Sequence, residues 1–365
     1  MSKLEANRVY NFNPGPATLP IEVLKEAQAE FLNFNNSGMS IIEISHRSKP
    51  YAEVHAQTKA DILELMNLGD DYEVLFIQGG ASLQFAMIPM NFASTDHKGS
   101  YILSGTFSTN AYKEAVTLGV GEIAASSKET GFHHVPQQDE LKIDPNAAYL
   151  HICNNNTIYG TEFHYIPETN GIPLIADMSS DMLSRPYDFN KFDFIYAGVQ
   201  KNLGPAGVVL VVAKKSLIEK SRETLPTMLR YDTFFKKDSL YNTPPEFSIY
   251  IVGKVAKWIK DQGGLKAMAD RNSKKAKLLY DAIDNSDGFY RGHADKDSRS
   301  FMNVTFRLPN EELEKKFVAE ALENNLSGVK GHRSVGGMRA SIYNAMPIEG
   351  AEKLAEFMEK FRKNN

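Results

Sequence analysis

A single cysteine, Cys153, stands in a chain of 365 residues, so neither an intrachain disulfide nor a cysteine-based metal cluster is possible. It closes an apolar run, where a small buried residue is the expected reading. No uninterrupted apolar stretch is long enough to cross a bilayer, and Met1 to Arg8 lack the apolar core of a secretory signal. Basic excess is missing too: the formal net charge is −4, which offers no field for nucleic acid or an anionic membrane surface. Low-complexity tracts, solenoid-period repeats and flexible linkers are equally absent. What remains is a globular chain, 42% hydrophobic and 24% charged, long enough for a large core or two domains. The expectation is a cytoplasmic enzyme whose positive charge, where it matters, is local.

From about residue 50 to 262 helical and strand patterns alternate. Helices are expected over 51–68, 83–92 and 110–118, the last closed by Gly119, and strands over 73–77, 101–103, 148–153, 173–176, 192–196 and 208–213. Such alternation predicts a mostly parallel sheet with helices on both faces. After a long helical stretch at 265–283 come strands at 301–306 and 338–343 and helices at 311–323 and 348–361, which reads as a smaller α+β domain. Gly263-Gly264 marks the expected boundary.

The most informative residue is Lys201, which follows the apolar run Phe192 to Val199. Lysine is rarely buried unless paired or reacting, and desolvation lowers its pKa toward a nucleophilic amine. Asp177 ends another apolar run, Ile172 to Ala176, where a parallel strand meets the ligand crevice of an open α/β sheet. The pair suits pyridoxal phosphate, with the lysine attached to the cofactor and the aspartate on the pyridinium nitrogen. Taken singly, Lys-Asn-Leu-Gly is also a turn, and Asp followed by Ser-Ser also caps a helix.

Gln78-Gly79-Gly80-Ala81-Ser82 joins a strand to a helix and can cradle a phosphate, or be a plain glycine turn. It lacks the lysine of a Walker loop and the spacing of a dinucleotide motif. His-Arg-Ser occurs twice, at 46–48 and 332–334, with Arg339 soon after. These guanidinium groups can grip phosphate or carboxylate, or lie as surface charges in loops. Tyr241-Asn242-Thr243-Pro244-Pro245 reads as a turn or as a projection into a neighbouring subunit's site.

In chain order these segments, with Asn11 to Ala17 and Gly331 to Ser341, resemble over essentially the whole length the phosphoserine aminotransferase family, class V of the fold type I pyridoxal-phosphate-dependent transaminases. The resemblance implies a large cofactor domain over 16–262, with a mostly parallel mixed sheet, and a smaller α+β domain made of 1–15 and 263–365. It implies Lys201 as the cofactor-bearing lysine and proton carrier, and Asp177 as the pyridinium partner. Ala81, Ser82 and Gln200 would hold the cofactor phosphate, joined across a homodimer by Asn242 and Thr243. Thr157 would stand near the ring hydroxyl and Phe107 against the ring face. His46, Arg47, His332 and Arg333 would take the substrate phosphate, and Arg339 the α-carboxylate.

The implied reaction links L-glutamate and 3-phosphohydroxypyruvate with 2-oxoglutarate and O-phospho-L-serine, in serine biosynthesis. Whether 4-phosphohydroxy-L-threonine of pyridoxine biosynthesis also reacts stays open at this level, and no metal is implied. Two departures bear on cofactor affinity: Phe107 stands where the family often has tryptophan, and Ala81-Ser82 stands where some members carry arginine. A cysteine desulfurase would need a nucleophilic cysteine on a loop, whereas Cys153 lies in an apolar run. A fold-retaining, non-catalytic phosphate binder would not take up the cofactor.

Overall fold

The computed structural model describes residues 8–365; the part of the expected small domain before Arg8 lies outside the described residues. Its central layer is a seven-stranded sheet built from β1 (Tyr72–Ile77), β2 (Gly99–Leu103), β3 (Gly121–Ser126), β4 (Tyr149–Cys153), β5 (Leu174–Asp177), β6 (Phe194–Gly198) and β7 (Val209–Lys214). The spatial order is β1-β7-β6-β5-β4-β2-β3. Only β7 runs antiparallel to its neighbours, so the sheet is mixed but mostly parallel. Val209 of β7 pairs with Ile77 on one side and Gly198 on the other.

Side-chain alternation fills both faces, as a sheet covered on both sides requires. Val74, Phe76, Leu150, Ile152, Ala176, Ile195 and Leu210 point into one apolar cluster, with α1 (Ile21–Glu30), α2 (Lys49–Met66) and α5 (Glu246–Asp261). Leu75, Ile77, Tyr149, Ile175, Phe194 and Val211 point into the other, against α3 (Gly80–Phe92) and α4 (Thr106–Thr117). A third cluster joins α6 (Gly264–Asp284), β8 (Asn303–Arg307), α7 (Glu311–Glu323), β9 (Met338–Ser341) and α8 (Ile348–Lys363) to Tyr10 and Phe12 of the N-terminal segment.

Gly263 and Gly264 sit at φ 98° and 74°, a left-handed joint between α5 and α6. Yet α6 is shared: Leu265 and Met268 belong to the first cluster, while Leu279 and Ile283 belong to the third. β3 was not foreseen, because it is an edge strand with mixed exposure and a Gly-Glu-Ile-Ala-Ala-Ser sequence that carries little β pattern. The helix expected from residue 110 starts at Thr106, directly after Gly105.

α2 and α5 cross closely because position 253 is glycine. An added Cβ there would stand 2.3 Å from Thr58 Oγ1. Gly253→Ala is therefore expected to destabilise by about 1–3 kcal/mol through overpacking. In a Thr58→Ala background the clash disappears, and the same change should be neutral or stabilising by up to about 1 kcal/mol, since alanine is the better helix former. Urea unfolding of the four proteins measures the coupling; equal effects of Gly253→Ala in both backgrounds would refute the contact.

Candidate active site

At the edge where β5 and β6 end, a cleft of about 290 Å³ is lined by residues from several elements, among them Pro14, Gly15, Ala81, Ser82, Phe85, Phe107, Thr157, Asp177, Ser179, Gln200, Lys201, His332 and Arg339. Lys201 lies three residues beyond β6, in a turn closed by Leu203 N–H and Gly204 N–H donating to Val199 O at 3.0 and 2.8 Å. Its Nζ donates to Thr157 Oγ1 at 2.7 Å and stands 4.7 Å from the Phe107 ring centroid. Burial pulls the Lys201 amine below the ordinary lysine range, opposed chiefly by the charge of Asp177.

Asp177 is the last residue of β5. Its Oδ1 accepts from Ser179 N–H at 2.9 Å and from Ser179 Oγ at 2.6 Å, and that hydroxyl in turn accepts from Gly198 N–H at 3.0 Å. The segment that follows is a run of turns, so this is a local aspartate turn and no helix cap. Burial pushes the Asp177 carboxyl up, and Lys201 pulls it back only in part. The two groups thus face each other short of full compensation, which a cationic ring nitrogen would supply to the aspartate.

Gly79 and Gly80 take φ of 92° and 68° between β1 and α3, a conformation that side chains resist, and aim the first turn of α3 at the cleft. Ala81 and Ser82 sit in that turn, where free helix N–H groups favour an anion. Arg339 is 5% exposed, with Nη1 3.3 Å from Thr157 O and Nε buried without a hydrogen-bond partner. Among the described residues no carboxylate lies within ion-pair distance of it, and burial lowers its pKa. A guanidinium in this condition calls for an anion from outside the chain.

Nine of the residues expected at the site therefore come together: Ala81, Ser82, Phe107, Thr157, Asp177, Gln200, Lys201, His332 and Arg339. The others do not line the cleft. Arg333 and Arg47 are exposed on loops, His46 Nδ1 is 3.9 Å from Glu246 Oε1, Asn242 Nδ2 donates to Gln78 Oε1 at 3.2 Å, and Thr243 is exposed. Pro14, Gly15, Phe85 and Ser179 line the cleft without having been singled out. The signal for Ser179 was its place two residues after Asp177. That for Pro14 and Gly15 was the compact Asn-Pro-Gly-Pro sequence, which is bent over the lysine: a Cβ on Gly15 would be 3.1 Å from Lys201 Cγ.

Cys153 is 3% exposed at the end of β4, and burial raises its thiol pKa well above the usual range, with Asp177 adding to it. Such a thiol is a poor nucleophile, which counts against sulfur transfer. No group of three or more potential metal ligands, and no helix long and apolar enough to cross a membrane, occurs among the described residues.

The comparisons with known proteins agree with this geometry. The family pattern Aminotransferase class-V matches residues 9–354. Phosphoserine aminotransferase from Lysinibacillus sphaericus is 54% identical over 358 residues, covering 98% of this chain and 99% of its own length; that from Geobacillus kaustophilus is also 54% identical with the same coverage. The solved phosphoserine aminotransferase from Bacillus circulans subsp. alkalophilus superimposes with a TM-score of 0.97 at 53% identity, covering 98% of this chain and 99% of that one. A pyridoxal-phosphate-bound phosphoserine aminotransferase from Trichomonas vaginalis gives a TM-score of 0.90 at 39% identity, covering 96% of this chain and all of that one. On the family pattern and on relatives matched end to end, this chain belongs to the class-V aminotransferases.

Proposed function

We propose that the protein is a pyridoxal-phosphate-dependent phosphoserine transaminase, interconverting 3-phosphohydroxypyruvate and L-glutamate with O-phospho-L-serine and 2-oxoglutarate, in the cytoplasm and in serine biosynthesis. The observation that carries the reading is Arg339, a buried guanidinium without a counter-charge whose contact, Thr157, also accepts from the reactive lysine. It sets a carboxylate site beside an amine poised for covalent chemistry. The relatives named above supply the substrate class.

The cleft fits the cofactor at both ends, with Ala81 and Ser82 at a helix N-terminus for its phosphate and Asp177 buried for its ring nitrogen. When bound, pyridoxal phosphate supplies the electron sink that makes the proton at the substrate Cα removable. Lys201 Nζ, with its basicity lowered by burial, would hold the cofactor and carry the proton at the substrate Cα. Asp177 would hold the protonated ring nitrogen, Phe107 would pack against the ring and Gln200 would join the phosphate cradle, while Thr157 orients the lysine. Arg339 fixes the α-carboxylate, so that the Cα–H bond is aligned and water is displaced. The larger part of the chain, 16–262, holds the cofactor, and the smaller part, 263–365 with the N-terminal residues, brings Arg339.

One chain offers too little positive charge for a substrate phosphate, since among the described residues only Lys201, Arg339 and His332 of its basic side chains line the cleft. The remainder comes from Arg333 on the neighbouring loop and from a second copy. His46 Nδ1 is 3.9 Å from Glu246 Oε1 and Asn242 Nδ2 donates to Gln78 Oε1, while Arg47 and Thr243, next to them in sequence, are exposed and open to a second copy. On this reading the protein is a homodimer with shared active sites.

Lys201→Ala should leave a folded protein that binds the cofactor only reversibly and has lost at least about 10²–10⁴-fold in turnover with its proton carrier. Borohydride reduction followed by peptide mapping checks the attachment point, and label on another lysine would refute it. Asp177→Ala should keep the attachment and lose most turnover; normal turnover would exclude the ring-nitrogen role.

Arg339→Ala should weaken both half-reactions by about 1.5–3 kcal/mol, or ten- to a hundredfold. Arg333→Ala and Arg47→Ala should fall harder on phosphoserine than on glutamate. Single-turnover bleaching of the visible band by each amino acid separates the two, and Arg333→Ala slowing glutamate more would overturn the division.

Mixed dimers test the shared site. A Lys201→Ala chain paired with a chain altered at both Asn242 and Thr243 places both defects in one site and leaves the other whole. Activity should recover well above either parent; no recovery after confirmed subunit exchange would show that each chain serves its own site.

A further inference from the structure

Four residues beyond Asp177, outside the cleft, two carboxyl groups are buried together: Glu162 and Asp181, each 0% exposed. Glu162 Oε1 is 3.1 Å from Arg185 Nε, and its Oε2 accepts from Phe301 N–H at 2.8 Å. Asp181 Oδ2 accepts from Asn154 Nδ2 and, at 2.8 Å, from the Tyr187 hydroxyl. The same hydroxyl is 3.5 Å from Glu162 Oε1 and accepts from Arg185 Nε at 2.9 Å. Asp181 Oδ1 is buried with no hydrogen-bond partner. Beyond these groups, Asp181 feels Lys201 and Cys153, and Glu162 feels Tyr280.

The charges do not balance if both acids ionise. Arg185 is the one cation within ion-pair distance of the two carboxyls among the described residues, and it lies against Glu162. Glu162 also has a backbone N–H, so it is fitted to hold a negative charge. Asp181 meets only neutral donors, on one oxygen, and an anion so placed is poorly compensated. Two carboxyls in one dry site with a single cation settle by retaining a proton.

We propose that Glu162 and Asp181 form a buried carboxylate–carboxylic acid pair, with the proton on Asp181, which acts as a positioning device for the loop from Asp177 to Ser184 and for Lys201. The loop is held to Asn154, just after β4, and through the Tyr187 hydroxyl to Glu162, which takes Phe301 N–H shortly before β8, without adding a second negative charge near the reactive amine. Burial first, and Glu162 second, push the Asp181 carboxyl up to about 7.

The sign of the pH effect follows. A carboxyl whose pKa is higher in the folded chain than in the unfolded one gives most stability at low pH. That contribution falls as pH rises from the ordinary carboxylate range to about 7, and is flat above. Above that point the new charge also favours the Lys201 ammonium.

Asp181→Asn reproduces the protonated acid, with its carbonyl toward Asn154 and Tyr187. In the cofactor-free protein it should melt within about 1–2 °C of the parent near pH 5, exceed it by a few degrees by about pH 7, and hold that gap to about pH 8. Glu162→Gln, which strips the partner from Arg185, should melt lower than the parent throughout. An Asp181→Asn difference that does not change with pH overturns the shared proton. Should that variant not fold, infrared spectra of the parent decide the matter: a buried carboxylic-acid band near pH 5 that disappears by about pH 8 supports the pair, and its absence at both overturns it.

In the cofactor-loaded protein the visible band of Asp181→Asn should titrate at lower pH than the parent's. This arm rests on the assignment of Lys201, whereas the melting arm does not. The expected melting behaviour with an unmoved band would overturn the positioning of Lys201 alone.

Discussion

Two cations and an anion meet at one edge of the central sheet, Asp177 and Arg339 buried and Lys201 half-buried, and the fold around them is arranged to make that tolerable. None of the three is fully neutralised by the chain: burial drives the lysine down, the aspartate up and the arginine down. Thr157 stands between the cations, accepting from one on its hydroxyl and from the other on its carbonyl. The site is under electrostatic tension that ligands of the right charge relieve, which is a thermodynamic reason for it to bind them.

Holding Arg339 there requires the two halves of the molecule to meet in a fixed register, and polar contacts provide it. Asn155 Nδ2 donates to Asn303 Oδ1 at 2.8 Å, the Ser300 hydroxyl to Asn155 Oδ1 at 2.6 Å, and the Thr305 hydroxyl to Tyr159 O at 2.8 Å. Asn344 N–H donates to Asn202 Oδ1 at 2.9 Å, next to the lysine. Asn272 Nδ2 donates to Ser184 O at 3.0 Å and Asn344 Nδ2 to Leu183 O at 2.8 Å. An apolar joint of the same area would tolerate sliding; one made of directional bonds does not, because each slip leaves buried groups unpaired.

The chain's pattern made the scaffold legible. Alternating apolar runs revealed six of the seven central strands, and a lysine and an aspartate placed after two of those runs both stand in the cleft. What the pattern could not convey was distance in three dimensions. Arg333 and His332 are adjacent in sequence, yet His332 lines the cleft and Arg333 turns outward, because the loop folds back with Gly331 N–H donating to Gly337 O at 2.8 Å. Glu162 and Asp181 were silent for the same reason. They are nineteen positions apart and carry no motif, and only burial beside a single arginine makes them notable.

The lone antiparallel strand fixes a length. Ile77, Val209 and Gly198 occupy one rung of the ladder. The glycine turn and the lysine turn therefore depart from the same rung with one strand between them, about 10 Å apart at the backbone. That interval is a gauge cut into the sheet itself. Loops above it can drift in sequence and in conformation, while the span between the two turns stays set by the sheet.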